Sequence, residues 1–215
     1  MNLQEINYCK VIPNIISPFL CKEIIEKFEN APNKYVGECG GGRNTNIKRT
    51  LDFNIPFNKG SNQWHDEDYN DWKNISEALK MTLSHQIGIY LHEIERYINN
   101  KNNKNNTVHV YKALDNSMHF RDLLMHKYFK SEGIFDYHSD DMVVFDNHEY
   151  RALTYIFYLN DVNIGGETEV INNGLIKPKQ GNLLLFPACW TFPHKGHPPV
   201  SEDKYIITGW TFLNV

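Results

Sequence analysis

The second half of the chain is divided into short strand-like runs, and this division constrains the fold more than any other feature of the sequence. Gly, Asn or Asp residues separate most of the runs, which occupy residues 108–112, 121–129, 134–140, 151–159, 167–171, 183–186, 191–195 and 204–213. Runs at this spacing are typical of a jelly roll, which protects its edges by wrapping two sheets together. We therefore predict a double-stranded β-helix core from about residue 107 to residue 215.

The first half predicts helices that support this core. Ser17-Pro18 offers an N-cap and a first-turn proline, and apolar residues recur at helical spacing as far as about Asn30. A longer apolar stripe predicts a second, long helix packed on a sheet; it comprises Ile75, Leu79, Leu83, Ile87, Leu91, Ile94 and Ile98. Residues 51–55 alternate as in a strand. We expect one α+β domain over residues 1–215, with helical support in residues 14–100.

Composition excludes several classes of protein. The net charge of −4 and the pI near 6.2 provide no basic field for an obligate nucleic-acid partner. The four cysteines form no Cys-x-x-Cys pair, which argues against a zinc ribbon and against a disulfide-stapled secreted fold. The sequence shows no secretory signal and no apolar run long enough to span a bilayer, so we expect a soluble cytoplasmic protein and leave its oligomeric state open.

The motif His138-Ser139-Asp140 carries the chemistry. In an extended strand these imidazole and carboxylate groups point to the same face, and together they form two thirds of a facial site for non-haem Fe(II). A third ligand must come from a distant strand, where His194 and His197 are the candidates. The ten-residue separation between His194 and Lys204 favours His194.

The last strand adds a pocket wall. Lys204, Thr208 and Trp210 share one face of the predicted strand, together with Ile206. A cation, a hydroxyl group and an indole beside a metal would suit a bound dicarboxylate.

The ordered set of His138-x-Asp140, His194 and Lys204 resembles the 2-oxoglutarate/Fe(II)-dependent dioxygenases, and their prolyl 4-hydroxylase branch in particular. Further pieces match in the same order: Tyr128, the R-x-x-T-x-x-x-Y-L-N strand at 151–160, the G-G-E-T turn at 165–168, and K-P-x-x-G with a following Phe at 177–186. The resemblance spans about residues 120–213, with a weaker echo at 10–30.

The resemblance implies the cofactors and their ligands. His138, Asp140 and His194 would bind Fe(II), with 2-oxoglutarate and O₂ as cosubstrates and ascorbate as the reductant. The far carboxylate of 2-oxoglutarate would need a cation, which Lys204 supplies, and neutral hydrogen bonds, for which Tyr158 and Thr208 are candidates. Tyr128 would lie near the end of the cosubstrate that faces the metal.

For the reaction, the resemblance favours hydroxylation of prolyl residues in a peptide or protein, with decarboxylation of 2-oxoglutarate to succinate and CO₂. The alternatives are the same chemistry on a free amino acid, another small molecule or a modified base, or a non-catalytic jelly roll that only binds a ligand. Candidate substrate contacts are Arg151, Trp210 and Arg43, the last in the glycine-rich loop 37–46. Residues 141–150 are a further candidate lid. Phe135 stands where the branch often has a tyrosine near the substrate.

Overall fold

The computed structural model describes residues 6–40, 42–56, 66–102, 118–121, 123–144 and 148–214. In these residues the chain forms two helices, α1 (Pro18–Asn30) and α2 (Asp66–Asn102), and fourteen strands. The strands are β1 (Lys10–Ile12), β2 (Tyr35–Val36), β3 (Lys48–Arg49), β4 (Leu51–Ile55), β5 (Met118–Phe120), β6 (Leu123–Tyr128), β7 (Ile134–His138), β8 (Val143–Val144), β9 (Glu149–Tyr158), β10 (Thr168–Val170), β11 (Gly174–Ile176), β12 (Leu183–Pro187), β13 (His194–Gly196) and β14 (Lys204–Asn214). The run predicted at 108–112 lies outside the described residues.

The strands form two antiparallel sheets. The major sheet has the order β1-β12-β9-β14-β6-β4-β2, with β5 added on β14 and β8 added on β9. The minor sheet has the order β11-β10-β13-β7-β3. Together with the flanking helices, this arrangement confirms the predicted double-stranded β-helix.

The helices cover one face of the major sheet. Ser17 caps α1 by accepting a hydrogen bond from the Leu20 amide at 3.2 Å, and Pro18 begins the helix, as predicted. The apolar face of α2 is buried against side chains of β9 and β12, within one continuous cluster that includes Leu79, Leu83, Tyr155 and Leu185. Within the described residues, no helix is both long enough and apolar enough to cross a membrane.

The opposite face of the major sheet looks toward the minor sheet. Because side chains alternate along β9, Tyr155 and Phe157 point to the helices while Ile156 and Tyr158 point between the sheets. A second apolar cluster lies between the sheets and includes Tyr128, Phe186 and Ile206. The space beside this cluster is where the predicted site residues meet.

The first half of the chain also contributes strands, to both sheets. β1 pairs with β12 at one edge of the major sheet, and β4 pairs with β6 near the other edge. β3 pairs with β7 in the minor sheet, although only Thr50 separates β3 from β4. The chain therefore crosses from one sheet to the other at Thr50.

Candidate active site

The structure brings His138, Asp140 and His194 together. His138 ends β7 and His194 begins β13, and the two residues are direct partners across the strand pair. His138 Nε2 lies 3.7 Å from one carboxylate oxygen of Asp140, and His194 Nε2 lies 3.4 Å from the other. One possible ligand atom from each of the three side chains falls within 4.8 Å of the others. This separation is compatible with a single ion held between them.

Both imidazole rings are oriented by the backbone. His138 Nδ1 donates to the carbonyl oxygen of Asp136 at 2.8 Å, and His194 Nδ1 donates to the carbonyl oxygen of Phe192 at 3.2 Å. A carbonyl can only accept, so each Nδ1 carries the proton and each Nε2 keeps a lone pair on the Asp140 side. Such outer hydrogen bonds are the usual means of orienting a histidine toward a metal.

Asp140 is buried, and its charge is maintained by its neighbours. Burial alone would raise the pKa of the Asp140 carboxyl, but His194 and His138 beside it hold that pKa below its usual range. Thr154 Oγ1 donates to one carboxylate oxygen at 2.8 Å. Burial, together with the neighbouring His194, lowers the pKa of His138 to about 4. A neutral imidazole and an ionised carboxylate are the forms that bind a divalent metal, and this donor set suits non-haem Fe(II).

The three side chains open onto a cavity of about 620 Å³ between the two sheets. Of the other predicted site residues, Tyr128, Arg151, Thr208 and Trp210 also line this cavity. Lys204 and Tyr158 do not line it, but both contact the hydroxyl of Thr168, a residue that does.

Lys204 is a buried amine that has no acidic partner among the described residues. Its side chain is 1% exposed, its Nζ lies 3.5 Å from Thr168 Oγ1, and the ring centroid of Tyr128 lies 4.8 Å away. Among the described residues, no carboxylate lies within ion-pair distance of this amino group. Burial lowers the pKa of Lys204 to about 7. A buried amine of this kind is stabilised by an anion that enters the cavity beside it.

The hydroxyl groups near Lys204 differ in what they can offer a ligand. Tyr158 donates to Thr168 Oγ1 at 2.9 Å, and Thr208 donates to the carbonyl oxygen of Tyr155 at 2.9 Å. While these bonds are formed, neither proton is available to a carboxylate. Burial raises the pKa of Tyr128, so this cavity-lining hydroxyl stays protonated and can donate.

The candidate substrate contacts are divided between the cavity and the surface. The Arg151 guanidinium carbon lies 3.5 Å from the ring centroid of Trp210, and Arg151 Nη1 donates to the backbone oxygen of Asp140 at 3.4 Å. Arg43 is exposed and does not line the cavity, although Glu38, Cys39 and Gly40 of its loop do. His197 also lies outside the cavity lining, and its Nε2 lies 2.7 Å from Glu169.

Sequence reasoning missed a group of polar residues in the cavity wall. Lys48, Asp52 and His126 are buried and line the cavity, and Thr154 and Thr168 bond to predicted site residues. Asp52 alternates with apolar neighbours in β4, a pattern that is usually explained by a face in water. The two threonines fall within the matched R-x-x-T and G-G-E-T segments, and that match was the signal that could have found them.

Comparison with known proteins agrees with this geometry. Residues 123–212 match the family model described as the 2OG-Fe(II) oxygenase superfamily, whereas a search of curated proteins gave no match. The fold is similar to that of a viral collagen prolyl hydroxylase from Paramecium bursaria Chlorella virus-1, with 18% identity, a TM-score of 0.62, and coverage of 96% of this chain and 97% of that one.

Two further solved structures show the same likeness. One is a prolyl hydroxylase from Trichoplax adhaerens in complex with a peptide fragment of the hypoxia inducible factor oxygen degradation domain (18% identity, TM-score 0.64, 96% and 84% coverage). The other is a Pseudomonas putida prolyl-4-hydroxylase (14% identity, TM-score 0.55, 94% and 91% coverage). At these identities the likeness shows the fold. With the family match, it confirms the resemblance predicted from the sequence.

Proposed function

We propose that this 2-oxoglutarate/Fe(II)-dependent dioxygenase hydroxylates prolyl residues in a peptide or protein, with decarboxylation of 2-oxoglutarate to succinate and CO₂. We assign His138, Asp140 and His194 as the ligands of Fe(II). The observation that carries the proposal is the presence, on the facing sheet, of Lys204, a buried amine that forms no ion pair with any described residue. With 2-oxoglutarate and O₂ bound, the iron supplies the oxidising power to hydroxylate an unactivated C–H bond.

The cavity residues bind and orient the cosubstrate. Lys204 neutralises its far carboxylate, which could not otherwise be desolvated at acceptable cost. Tyr128 donates a hydrogen bond from the cavity wall, and Thr168, which also lines the cavity, contacts the amino group of Lys204. Tyr158 supports Thr168 from behind. Thr208 forms part of the wall, with its proton engaged by the backbone.

A peptide substrate is supported by one structural neighbour and by two residues that line the cavity. The Trichoplax neighbour is described in complex with a peptide fragment. In this chain the Arg151–Trp210 pair lies beside Asp140, where a substrate approaching the metal would meet it. The flat guanidinium group stacked on an indole gives an apolar face with polar edges, which suits a prolyl ring flanked by peptide groups.

Succinate formation tests the metal assignment. The wild-type protein is incubated with Fe(II), ascorbate as the reductant, and 2-oxoglutarate, and succinate is measured with and without proline-containing peptides. We expect succinate from the wild-type protein and none above background from His138→Ala. His197→Ala is the matched control, because it removes a nearby imidazole outside the cavity and should leave turnover unchanged. Equal succinate from wild type and His138→Ala would refute the assignment.

Mass spectrometry tests the substrate. Proline-containing peptides should gain the mass of one oxygen atom, and fragmentation should place that atom on a prolyl residue. Free proline, other free amino acids and modified bases are offered in parallel. Oxygen incorporation only into one of these compounds would replace the peptide proposal and leave the dioxygenase assignment in place.

A further inference from the structure

Phe135 lies against a proposed metal ligand. Its ring is stacked on the imidazole of His138, with 3.6 Å between ring centroids and 11° between ring planes. Phe135 also lines the cavity, where the sequence comparison suggested a position near the substrate. The structure shows that one ring face of Phe135 is occupied by His138.

Lys48 contacts the same phenyl ring. The β3–β7 register places Lys48 directly opposite Phe135, and Lys48 Nζ lies 4.9 Å from the centroid of the Phe135 ring. A cation over an aromatic face is attracted by the negative charge of that face. The three side chains therefore form a continuous series in which Phe135 contacts both Lys48 and His138.

Lys48 is itself fixed in position. Its Nζ donates to Asp52 Oδ2 at 2.7 Å and to the backbone oxygen of Glu38 at 3.2 Å. The Lys48 and Asp52 side chains are only 5% and 3% exposed. The second carboxylate oxygen of Asp52 lies 2.6 Å from His126 Nδ1. Lys48 belongs to the minor sheet and Asp52 to the major sheet, so the pair joins the two sheets beside the cavity.

A buried ion pair contributes little to stability on average, because the desolvation of two charges offsets their attraction. This pair therefore calls for another role, and its contact with Phe135 supplies one. The hydrogen bond from His138 Nδ1 to the backbone oxygen of Asp136 directs the imidazole but still allows the ring plane to tilt. The Phe135 ring, whose centroid lies 3.6 Å from that of the imidazole, restricts this tilting.

We propose that Lys48, held by Asp52, keeps Phe135 stacked on His138, and that Phe135 and Lys48 are thereby positioning residues for the metal centre. The inference rests on the proposed function only in taking His138 as a metal ligand. It assigns Phe135 to the support of that ligand, where the sequence suggested a contact with substrate.

Binding of Co(II) to the metal-free protein tests this proposal without turnover. Affinities are measured by calorimetric titration for Phe135→Leu, which removes the stacked ring, and for Lys48→Met, which removes the charge. We expect each change to weaken Co(II) binding about 10-fold, as loss of an outer support of a metal ligand typically does. Phe135→Tyr and Lys48→Arg keep the ring and the charge and should stay within about threefold of wild type.

A double-mutant cycle separates positioning from general damage. If Lys48 acts through Phe135, the double variant Lys48→Met/Phe135→Leu should bind Co(II) no more than about 10-fold weaker than wild type. Lys127→Met is the matched control, because Lys127 is ion-paired with Glu29 at 2.8 Å and lies outside the cavity lining. Its Co(II) affinity should equal that of wild type.

Three outcomes overturn the proposal: unchanged Co(II) affinity in Phe135→Leu or in a folded Lys48→Met, additive losses in the double variant, or an equal loss in Lys127→Met. Thermal unfolding of each metal-free variant shows whether it is folded, and Phe135→Leu, which changes no charge, carries the test if Lys48→Met does not fold. A wild-type protein that binds no Co(II) would refute the proposed metal site itself, and this result is distinct from the other three.

Discussion

Replacing Lys204 by methionine should weaken the binding of 2-oxoglutarate and leave the metal site intact. Methionine keeps an unbranched apolar side chain, one heavy atom shorter than lysine, and removes the amino group with its charge. Lys204 lies on β14 of the major sheet, whereas the proposed metal ligands belong to the minor sheet and the loop that follows β7. The substitution should therefore weaken only the interaction with the far carboxylate of the cosubstrate.

The size of the effect follows from the burial of Lys204. Its pKa falls from 10.5 to about 7, so charging this amine in the ligand-free cavity costs about 5 kcal/mol relative to water. Loss of one partner of a buried charge pair weakens binding by about 2–5 kcal/mol. Part of the attraction to 2-oxoglutarate is used to charge the amine, so we expect the lower part of that range, about 2–3 kcal/mol. This corresponds to a rise of roughly 30- to 140-fold in the Michaelis constant.

The assay is succinate release as a function of 2-oxoglutarate concentration, for wild type, Lys204→Met and the control Lys127→Met. Co(II) titration of the same metal-free proteins shows whether the metal site is retained. The reasoning fails if the Michaelis constant of Lys204→Met lies within threefold of the wild-type value, or if Co(II) affinity falls as steeply as 2-oxoglutarate affinity.

Three further predictions follow from the same site. Between about pH 7 and pH 10 the unfolded chain keeps the Lys204 proton that the folded, ligand-free protein has released. The free energy of unfolding should therefore rise with pH by up to about 1.4 kcal/mol per pH unit relative to that of Lys204→Met. Urea unfolding of both proteins at pH 7 and pH 9 measures the difference, and parallel pH profiles would contradict the prediction. Thr154→Val removes the hydrogen bond to Asp140 and should weaken Co(II) binding about 10-fold in calorimetric titration, an effect that an affinity equal to wild type would exclude. Tyr158→Phe removes only a hydrogen bond to Thr168, so it should lower the free energy of unfolding by about 1 kcal/mol. The Michaelis constant for 2-oxoglutarate should change less than threefold. A larger change in that constant would mean that the hydroxyl contacts the cosubstrate directly.

The sequence predicted the elements whose signals are local. The Ser17-Pro18 cap places the start of α1, and period-two alternation from Lys204 to Trp210 places four side chains on one face of β14. The grouping of His138, Asp140 and His194 was also predicted, because alternation brings the first two together and the family spacing indicates the third. The observed cluster agrees with that grouping, while the binding of metal by these residues stays a prediction.

The side-chain contacts that the sequence could not predict depend on which strands become neighbours in the sheets. Asp52 and His126 look like ordinary polar positions in their own strands, and only the pairing of β4 with β6 sets them side by side. Lys48 contacts Phe135 because β3 joins the minor sheet. The single residue between β3 and β4 gives no sequence signal for a change of sheet. Thr208 is a candidate for a hydrogen bond to the cosubstrate, and the sequence did not indicate that its hydroxyl donates to the carbonyl of Tyr155 on the neighbouring β9. Its contact with the cosubstrate stays a prediction.

The proposed site is divided between two sheets, because the candidate metal ligands lie on the minor sheet and in the loop after β7, whereas Lys204 lies on the major sheet. If Lys204 binds the far carboxylate of 2-oxoglutarate, as we propose, the spacing of the facing sheets sets the length of ligand that can be held at both ends. We therefore expect a diacid with one methylene group fewer than 2-oxoglutarate to bind more weakly.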